Sequence, residues 1–339
     1  MRRAALLLGV VAALGCAPEL DVPSEVQSLR VLGVQKSKPY ARPGEAVDLA
    51  VLWHDGRPPE LRTPVEVAWF SGCVNPPADL FYGCFQSLAE AEPPAPGAPP
   101  PPGFGFGTGD TFAVTLPADV LSSRPPPTDP EIVPYGTAFV FFAVCGGTIE
   151  PGTAADGFPL VCRGPSGALL GSRDFVAGYS TIYAYESVSN ANPAIGGFRF
   201  NGVDVDTDCV GVDCLGPDDT DPQCSATGAT PCVDACAADG DPAECPGYSI
   251  TPVLDPSIVE PDRTQPSRGY SEQLWIAYYV ERGSVDRELR LVSDAVKGWR
   301  PEFATQLYAP KEKGPMYVWA VVRDNRGGQN WTRMKVIVR

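Results

Sequence analysis

The sequence contains only one histidine, His54, and this scarcity removes most catalytic arrangements that depend on imidazole. His54 stands in the segment LWHDG, where the following Asp-Gly pair predicts the end of a strand at a turn. The nucleophile motif G-x-S-x-G and the zinc motif H-E-x-x-H are both missing from the sequence. We therefore expect a protein that is not an enzyme.

Lysine and arginine are missing from residues 200–262, which carry 14 acidic side chains. The whole chain has a net charge of −15, but residues 263–339 carry 14 basic and 8 acidic groups. Nucleic acid is excluded as a partner by this balance, because phosphate binding needs a basic face. The acidic segment is expected to meet cations or the basic final part of the chain.

Long apolar runs and long helical periodicity are missing after the first fifteen residues. The most apolar later segment, TAFVFFAV at 137–144, has the length and the β-branched and aromatic character of a buried strand. The 35 glycines and 38 prolines separate many short runs of this kind, which is typical of antiparallel sandwiches. We predict an all-β fold of two Ig-like antiparallel β-sandwich domains, at 28–190 and 191–339, with a disulfide-rich acidic loop inserted in the second.

Strands are predicted wherever β-branched and aromatic residues cluster between turn residues. The predicted segments are 28–34, 46–53, 65–70, 111–116, 137–144, 179–185, 192–205, 248–254, 272–281, 287–293, 303–309, 315–328 and 331–339. The proline-rich stretch 93–109 is predicted to be an exposed loop, since its prolines favour polyproline II. In the last strand Arg333 and Lys335 alternate with Met334 and Val336, which predicts a mostly charged outer face.

The closing segment PMYVWAVVRDNRGGQNWTRMKVIV resembles the final hairpin of PKD-like and other bacterial Ig-like modules. In those modules an apolar strand, an Asp-Asn-Gly-Gly turn and a last strand close the sandwich, and Asp324, Asn325, Gly327 and Gly328 match the turn. The resemblance implies an Ig-like fold and leaves the activity open, since sandwiches serve many roles.

The chain begins MRRAALLLGVVAALGCAPEL, with two arginines followed by a short apolar run, as in an export signal. The stretch ending at Cys16 resembles the lipobox of bacterial lipoproteins. The resemblance implies a signal peptide at 1–15, a fatty-acylated Cys16 and a lipidated tether at 16–27. Ala17 after the lipid site resembles the outer-membrane sorting signal of such lipoproteins. We expect a lipoprotein anchored in the outer membrane, facing either the periplasm or the cell surface.

Ten cysteines remain once Cys16 is assigned to the lipid, and an even number in an oxidising compartment predicts up to five disulfides. Cys73 and Cys84 flank one loop, and Cys145 and Cys162 flank another, although a crossed pairing of Cys73 with Cys145 remains open. Three disulfides are expected in the insertion 206–247, from the six cysteines Cys209, Cys214, Cys224, Cys232, Cys236 and Cys245.

The insertion alternates aspartate and cysteine, which raises the question of a bound ion. Structural zinc is disfavoured because no C-x2-C pair occurs. Calcium prefers oxygen ligands, but the residues at the sixth and twelfth positions of this stretch are not the ones that an EF-hand loop requires. The stretch loosely resembles thrombospondin type 3 calcium repeats without their regular repeat. No cofactor is expected unless calcium binds, and its candidate ligands are Asp204, Asp206, Asp208, Asp218, Asp219 and Asp221.

Aromatic residues cluster in the last third of the chain, and most are expected to fill the core. Trp299 and Trp331, beside turns or charges, are the candidates for ligand binding. The sequence thus predicts a non-enzymatic binding or structural module of the bacterial cell envelope, whose partner is another envelope protein or a glycan. The alternatives are a carbohydrate-binding or calcium-dependent adhesion module, and an enzyme that acts on cell-wall polymers through unseen carboxylates.

Overall fold

The protein is described by a computed structural model in which strands form nearly all of the regular structure. The residues described are 22–84, 104–152, 160–205, 207, 209–215, 224, 230–237 and 244–339. Short 3-10 helices lie at Pro59–Leu61, Pro77–Asp79, Phe81–Cys84, Gly211–Cys214, Pro256–Ile258 and Pro266–Arg268. Within these ranges no helix has the length and apolar character that a membrane crossing requires.

The described residues of the first sandwich form ten strands. They are β1 (Leu29–Lys36), β2 (Tyr40–Ala41), β3 (Ala46–Asp55), β4 (Glu66–Val74), β5 (Gly105–Thr108), β6 (Thr111–Thr115), β7 (Gly136–Cys145), β8 (Thr148–Pro151), β9 (Leu160–Arg163) and β10 (Phe175–Ala184). A sheet in the order β1-β3-β6 packs on a sheet in the order β2-β10-β7-β4-β5, while β8 and β9 form a separate hairpin. Every residue of β7 is buried, as its continuous apolar sequence predicts.

The core of the first sandwich is organised around Trp69 on β4, which is 1% exposed. Its ring lies 5.9 Å from the ring of Phe112 and 5.7 Å from that of Phe142, so it contacts both sheets. The indole Nε1 donates a hydrogen bond of 2.7 Å to the carbonyl of Gly109, which satisfies the polar end of this buried side chain.

In the second sandwich, the part of the chain that the structure describes contains twelve strands. They are β11 (Phe198–Phe200), β12 (Val203–Val205), β13 (Cys209–Val210), β14 (Cys232–Val233), β15 (Gly247–Pro252), β16 (Leu274–Val280), β17 (Ser284–Val285), β18 (Leu289–Asp294), β19 (Gly298–Trp299), β20 (Thr305–Tyr308), β21 (Gly314–Asp324) and β22 (Gln329–Val338). One sheet has the order β12-β11-β15-β20-β17, and the other β13-β22-β21-β16-β18-β19, with β14 also paired to β22.

The two sandwiches share one topology. In the first sandwich the sheet β1-β3-β6 faces a sheet whose central strands run β10-β7-β4. In the second sandwich the strands β11-β15-β20 face a sheet whose central strands run β22-β21-β16. In each sandwich a short strand, β2 or β14, pairs in parallel with the last strand. This distribution of strands between sheets is the one found in immunoglobulin-type sandwiches. The predicted all-β, Ig-like fold class is confirmed.

The prediction for the segment 93–109 was wrong at its end. Gly105–Thr108 forms strand β5, which pairs antiparallel with β4 at the edge of the sheet. Gly107 suits this place because a Cβ there would lie 2.6 Å from the ring of Phe112. The prolines that suggested a loop all precede residue 104, outside the described residues.

The ten cysteines form five disulfides, as predicted. The pairs are Cys73–Cys84, Cys145–Cys162, Cys209–Cys214, Cys224–Cys232 and Cys236–Cys245, with Cα–Cα distances of 5.0 to 5.6 Å. Each bond joins a cysteine to the next cysteine along the chain, so the crossed pairing of Cys73 with Cys145 does not occur. The bonds therefore close short loops and leave the sandwich cores to apolar packing.

Replacing both Cys145 and Cys162 by alanine should lower the free energy of unfolding by about 2–4 kcal/mol, because the bond closes a loop between two strands. Both cysteines are buried, at 0% and 1% exposure, so a small packing loss adds to this effect. Urea unfolding followed by tryptophan fluorescence measures the change. The bond between Cys224 and Cys232 closes a shorter loop, so the matched double variant of these two cysteines should lower the free energy of unfolding by less. Equal stability of the Cys145/Cys162 variant and the wild type would contradict the assignment of this disulfide.

Candidate functional site

The predicted calcium ligands are largely outside the part of the chain that the structure describes. Only Asp204 is described; Asp206, Asp208, Asp218, Asp219 and Asp221 are not. Asp204 lies on β12 with its side chain 73% exposed and pairs with Arg199 at 2.7 Å. Among the described residues no group of three His, Cys, Asp or Glu side chains is arranged to hold a metal ion.

The two tryptophans predicted to bind a ligand differ in position. Trp331 is 0% exposed and its Nε1 donates a hydrogen bond of 2.5 Å to the carbonyl of Gly211. It cannot contact a ligand, so this prediction was wrong; the ring is buried because it packs between the sandwiches. Trp299 is half-buried on β19 and its ring packs edge-on against Phe303, 5.5 Å away.

The outer face of the last strand is covered, contrary to the prediction of a charged and exposed face. Arg333 and Lys335 on β22 are 8% and 5% exposed, and both lie over the ring of Tyr317. The cover comes from the first sandwich and from Cys209 and Cys214 of the insertion. One apolar cluster joins the sandwiches and consists of Val26, Leu32, Leu52, Cys209, Cys214, Trp319, Val321 and Trp331.

Hydrogen bonds fix the register of this junction. Ser24 and Val26 exchange backbone hydrogen bonds of 2.8 Å with Val280, so the chain before β1 extends the second sandwich. The side chain of Gln35 donates to the carbonyl of Gln329 at 3.1 Å, and that of Gln329 donates to the carbonyl of Val34. The predicted tether 16–27 is therefore part of the folded junction from Ser24 onward.

A buried lysine lies at one end of the junction. Lys36 on β1 is 2% exposed, and its Nζ donates a hydrogen bond of 2.6 Å to the carbonyl of Thr181. Burial lowers the pKa of Lys36 from 10.5 to about 8, against the opposing attraction of Asp324. The turn after β21 passes directly over this amine, since a Cβ on Gly327 would lie 2.7 Å from Nζ.

The only histidine forms a polar link across the junction. His54, at the end of β3 as predicted, contacts Oε1 of Glu281 through Nε2 at 3.0 Å, and its ring lies 4.7 Å from that of Trp319. Arg62 approaches the same carboxylate oxygen at 3.4 Å. Burial alone would raise the pKa of Glu281, but the hydrogen bond and charge of His54 hold it below 4.5.

Beside this link is a cavity of about 460 Å³ between the two sandwiches. Residues of both sandwiches line it: Val51, Leu52, Trp53, His54, Asp55, Arg62, Thr63, Val65, Asp110, Cys214, Leu215, Tyr317, Trp319 and Arg333. Its volume falls within the roughly 300–1,000 Å³ of small-molecule sites, and it combines aromatic rings with a few polar groups, as such sites do. We take it as the candidate functional site.

A second cavity, of about 430 Å³, lies between the sheets of the first sandwich beside β5 and β6. No ionisable side chain among the described residues lines it, and glycine, alanine and valine contribute much of its wall. The described wall therefore offers no charged group that could orient a ligand, and the cavity at the junction is the stronger candidate.

Sequence reasoning missed the residues of the junction cavity. Trp53, Arg62 and Asp110 are far from Tyr317 and Arg333 in sequence and meet only because the sandwiches pack together. The one local signal was Trp53-His54-Asp55, three side chains with polar groups at the end of an otherwise apolar strand.

No protein-family model and no curated protein matches the chain. Among solved structures, the fibronectin(III)-like modules of Clostridium thermocellum CbhA are 8% identical, with 92% of this chain and 94% of that chain covered and a TM-score of 0.21. The D0-D1 domain of intimin is 10% identical, with coverages of 91% and 97% and a TM-score of 0.19. Dimeric latent PorU of Porphyromonas gingivalis is 10% identical with a TM-score of 0.19, and this chain spans 24% of it.

The buried amine predicts a specific pH dependence of stability. Between pH 8 and 10 the unfolded chain keeps the proton of Lys36 while the folded chain releases it, so the free energy of unfolding should rise with pH, by on the order of 2–3 kcal/mol. Lys36→Met should remove this rise, and Lys38→Met, at a lysine whose side chain is 44% exposed, should keep it. Urea unfolding across this pH range measures the free energy of unfolding. The same rise in the wild type and in both variants would contradict the assignment of the pH dependence to Lys36.

Proposed function

We propose that this protein is an exported lipoprotein of the bacterial cell envelope, anchored through Cys16, that acts as a non-enzymatic binding or structural module. The observation that carries the proposal is the pairing of ten cysteines in five disulfides. Disulfides of this number persist in oxidising compartments such as the periplasm or the cell surface. The signal-like start and the lipobox resemblance supply a route to that compartment.

The short distance from Cys16 to the folded junction supports a role close to the lipid surface. Seven residues lie between Cys16 and Ser24, whose carbonyl is already bonded to Val280. The eight Cα–Cα steps from Cys16 to Ser24 span at most about 28 Å when fully extended. Both sandwiches would therefore be held near the membrane rather than at the end of a long stalk.

The chemistry of the junction supports binding rather than catalysis. The sole histidine contacts Glu281 through Nε2 and packs on Trp319, so its ring is engaged by the fold. Asp55 is held by Arg57, whose Nη2 lies 2.6 Å from the carboxylate.

The partner that we propose is an envelope component, either a protein or a glycan, and no cofactor is assigned. The resemblance of Ala17 to the sorting signal favours the outer membrane.

Lipidation at Cys16 is tested by fractionating cells that express the full chain. The wild type should be in the membrane fraction, and mass spectrometry should find an N-terminal peptide that starts at Cys16 and carries diacylglycerol and a fatty acid. Cys16→Ala should leave the protein unacylated and shift it to the soluble fraction or leave its signal uncut, whereas Pro18→Ala should behave as the wild type. An unmodified wild-type N-terminus at Met1 would refute the anchor.

A further inference from the structure

The cavity at the junction contains polar groups that the fold leaves unused. Asp110 accepts a hydrogen bond of 2.7 Å from Nε1 of Trp53 through Oδ1, and its Oδ2 receives no hydrogen bond from the described residues. The bond holds the indole in place on the cavity wall. The wall thus offers an ordered aromatic ring beside a carboxylate oxygen that can accept a hydrogen bond.

Arg62 supplies the complementary group. Its Nε donates to the carbonyl of Arg57 at 2.7 Å and its Nη2 approaches Glu281 at 3.4 Å, while its Nη1 has no acceptor within the described ranges. The side chain is 37% exposed and lines the cavity. A guanidinium nitrogen with unused N–H groups favours an anionic oxygen of a ligand.

These features specify the ligand. An aromatic wall suits the apolar face of a ring, the oxygen of Asp110 suits hydroxyl donors, and the guanidinium of Arg62 suits a carboxylate. A fatty acid would leave Asp110 desolvated without a donor, and a nucleotide would need more cations for its phosphates. We propose that the cavity between the sandwiches binds an acidic sugar, through Trp53, Asp110 and Arg62.

This proposal deepens the proposed function, since it names the glycan class that the binding module would recognise. Tyr317 and Leu215 of the second sandwich complete the wall opposite Trp53. A sugar in the cavity would therefore contact both sandwiches and stabilise their junction. Two sources of acidic sugar meet the requirement: uronic acids of surface polysaccharides, and N-acetylmuramic acid of the cell wall.

The test uses the full chain carrying Cys16→Ala, so that the binding measurement does not depend on lipidation. Calorimetry is run with glucuronic, galacturonic and N-acetylmuramic acids, with disaccharides that contain them, and with the matched neutral sugars. We expect at least one acidic sugar to bind about tenfold or more tightly than its neutral counterpart. The uronic acid and muramic acid arms separate the two sources.

Two variants locate the binding in the cavity. Arg62→Gln and Asp110→Asn should each weaken the binding by about tenfold or more, because each removes a charged partner of the ligand. Arg163→Gln is the matched control, since its side chain is 36% exposed and pairs with Glu150 outside the cavity. It should bind as the parent protein does. Thermal unfolding confirms that each variant is folded.

Absence of binding to every acidic sugar, or equal binding by Arg62→Gln and the parent, would overturn the proposal. Equal affinity for acidic and neutral sugars would also overturn it, because the carboxylate would then make no contact with Arg62. None of these results bears on export and anchoring, which the cell fractionation measures separately. Failure of the anchor would in turn leave the calorimetry unaffected.

Discussion

The packing of the first sandwich on the outer face of the β22-β21-β16 sheet is the constraint on which the rest of this structure depends. Trp319 and Trp331 are 1% and 0% exposed and belong to one apolar cluster with Leu32 and Leu52 of the other sandwich and with Cys209 and Cys214. Burying apolar area of this kind contributes roughly 25 cal/mol per Å². Because the two halves are held in one register, the side chains of His54, Arg62 and Tyr317 come to line one cavity.

The stability of each sandwich and the stability of its loops have different physical origins. The cores are closed by apolar side chains from both facing sheets, as Trp69 of β4 and Phe112 of β6 do in the first sandwich. The disulfides join cysteines only 5 to 17 residues apart and restrict segments too polar to bury a core. The same topology therefore carries long loops in both halves without enlarging either core.

The ionisable side chains at the junction are of two kinds. Glu281 and Lys36 are withdrawn from water and bound to named partners, so their ionisation is coupled to the packing of the sandwiches. Arg62 and Asp110 remain partly accessible, and each keeps hydrogen-bonding groups that no described residue satisfies. A binding role at the junction would follow from this contrast, because the groups that the fold leaves unsatisfied are the ones a ligand can satisfy.

The sequence by itself determined the fold class, most strands and the oxidised state of the cysteines, since alternation, turn residues and cysteine number act locally or by composition. It also placed His54 at a strand end. It could not determine which face of the last strand meets water, because Arg333 and Lys335 have the pattern of an exposed face. Only the tertiary structure decided that this face is buried, that Trp331 is inaccessible and that Trp53, Arg62 and Asp110 share a cavity with Tyr317 and Arg333. The reason is that the packing of one sandwich on another joins residues hundreds of positions apart.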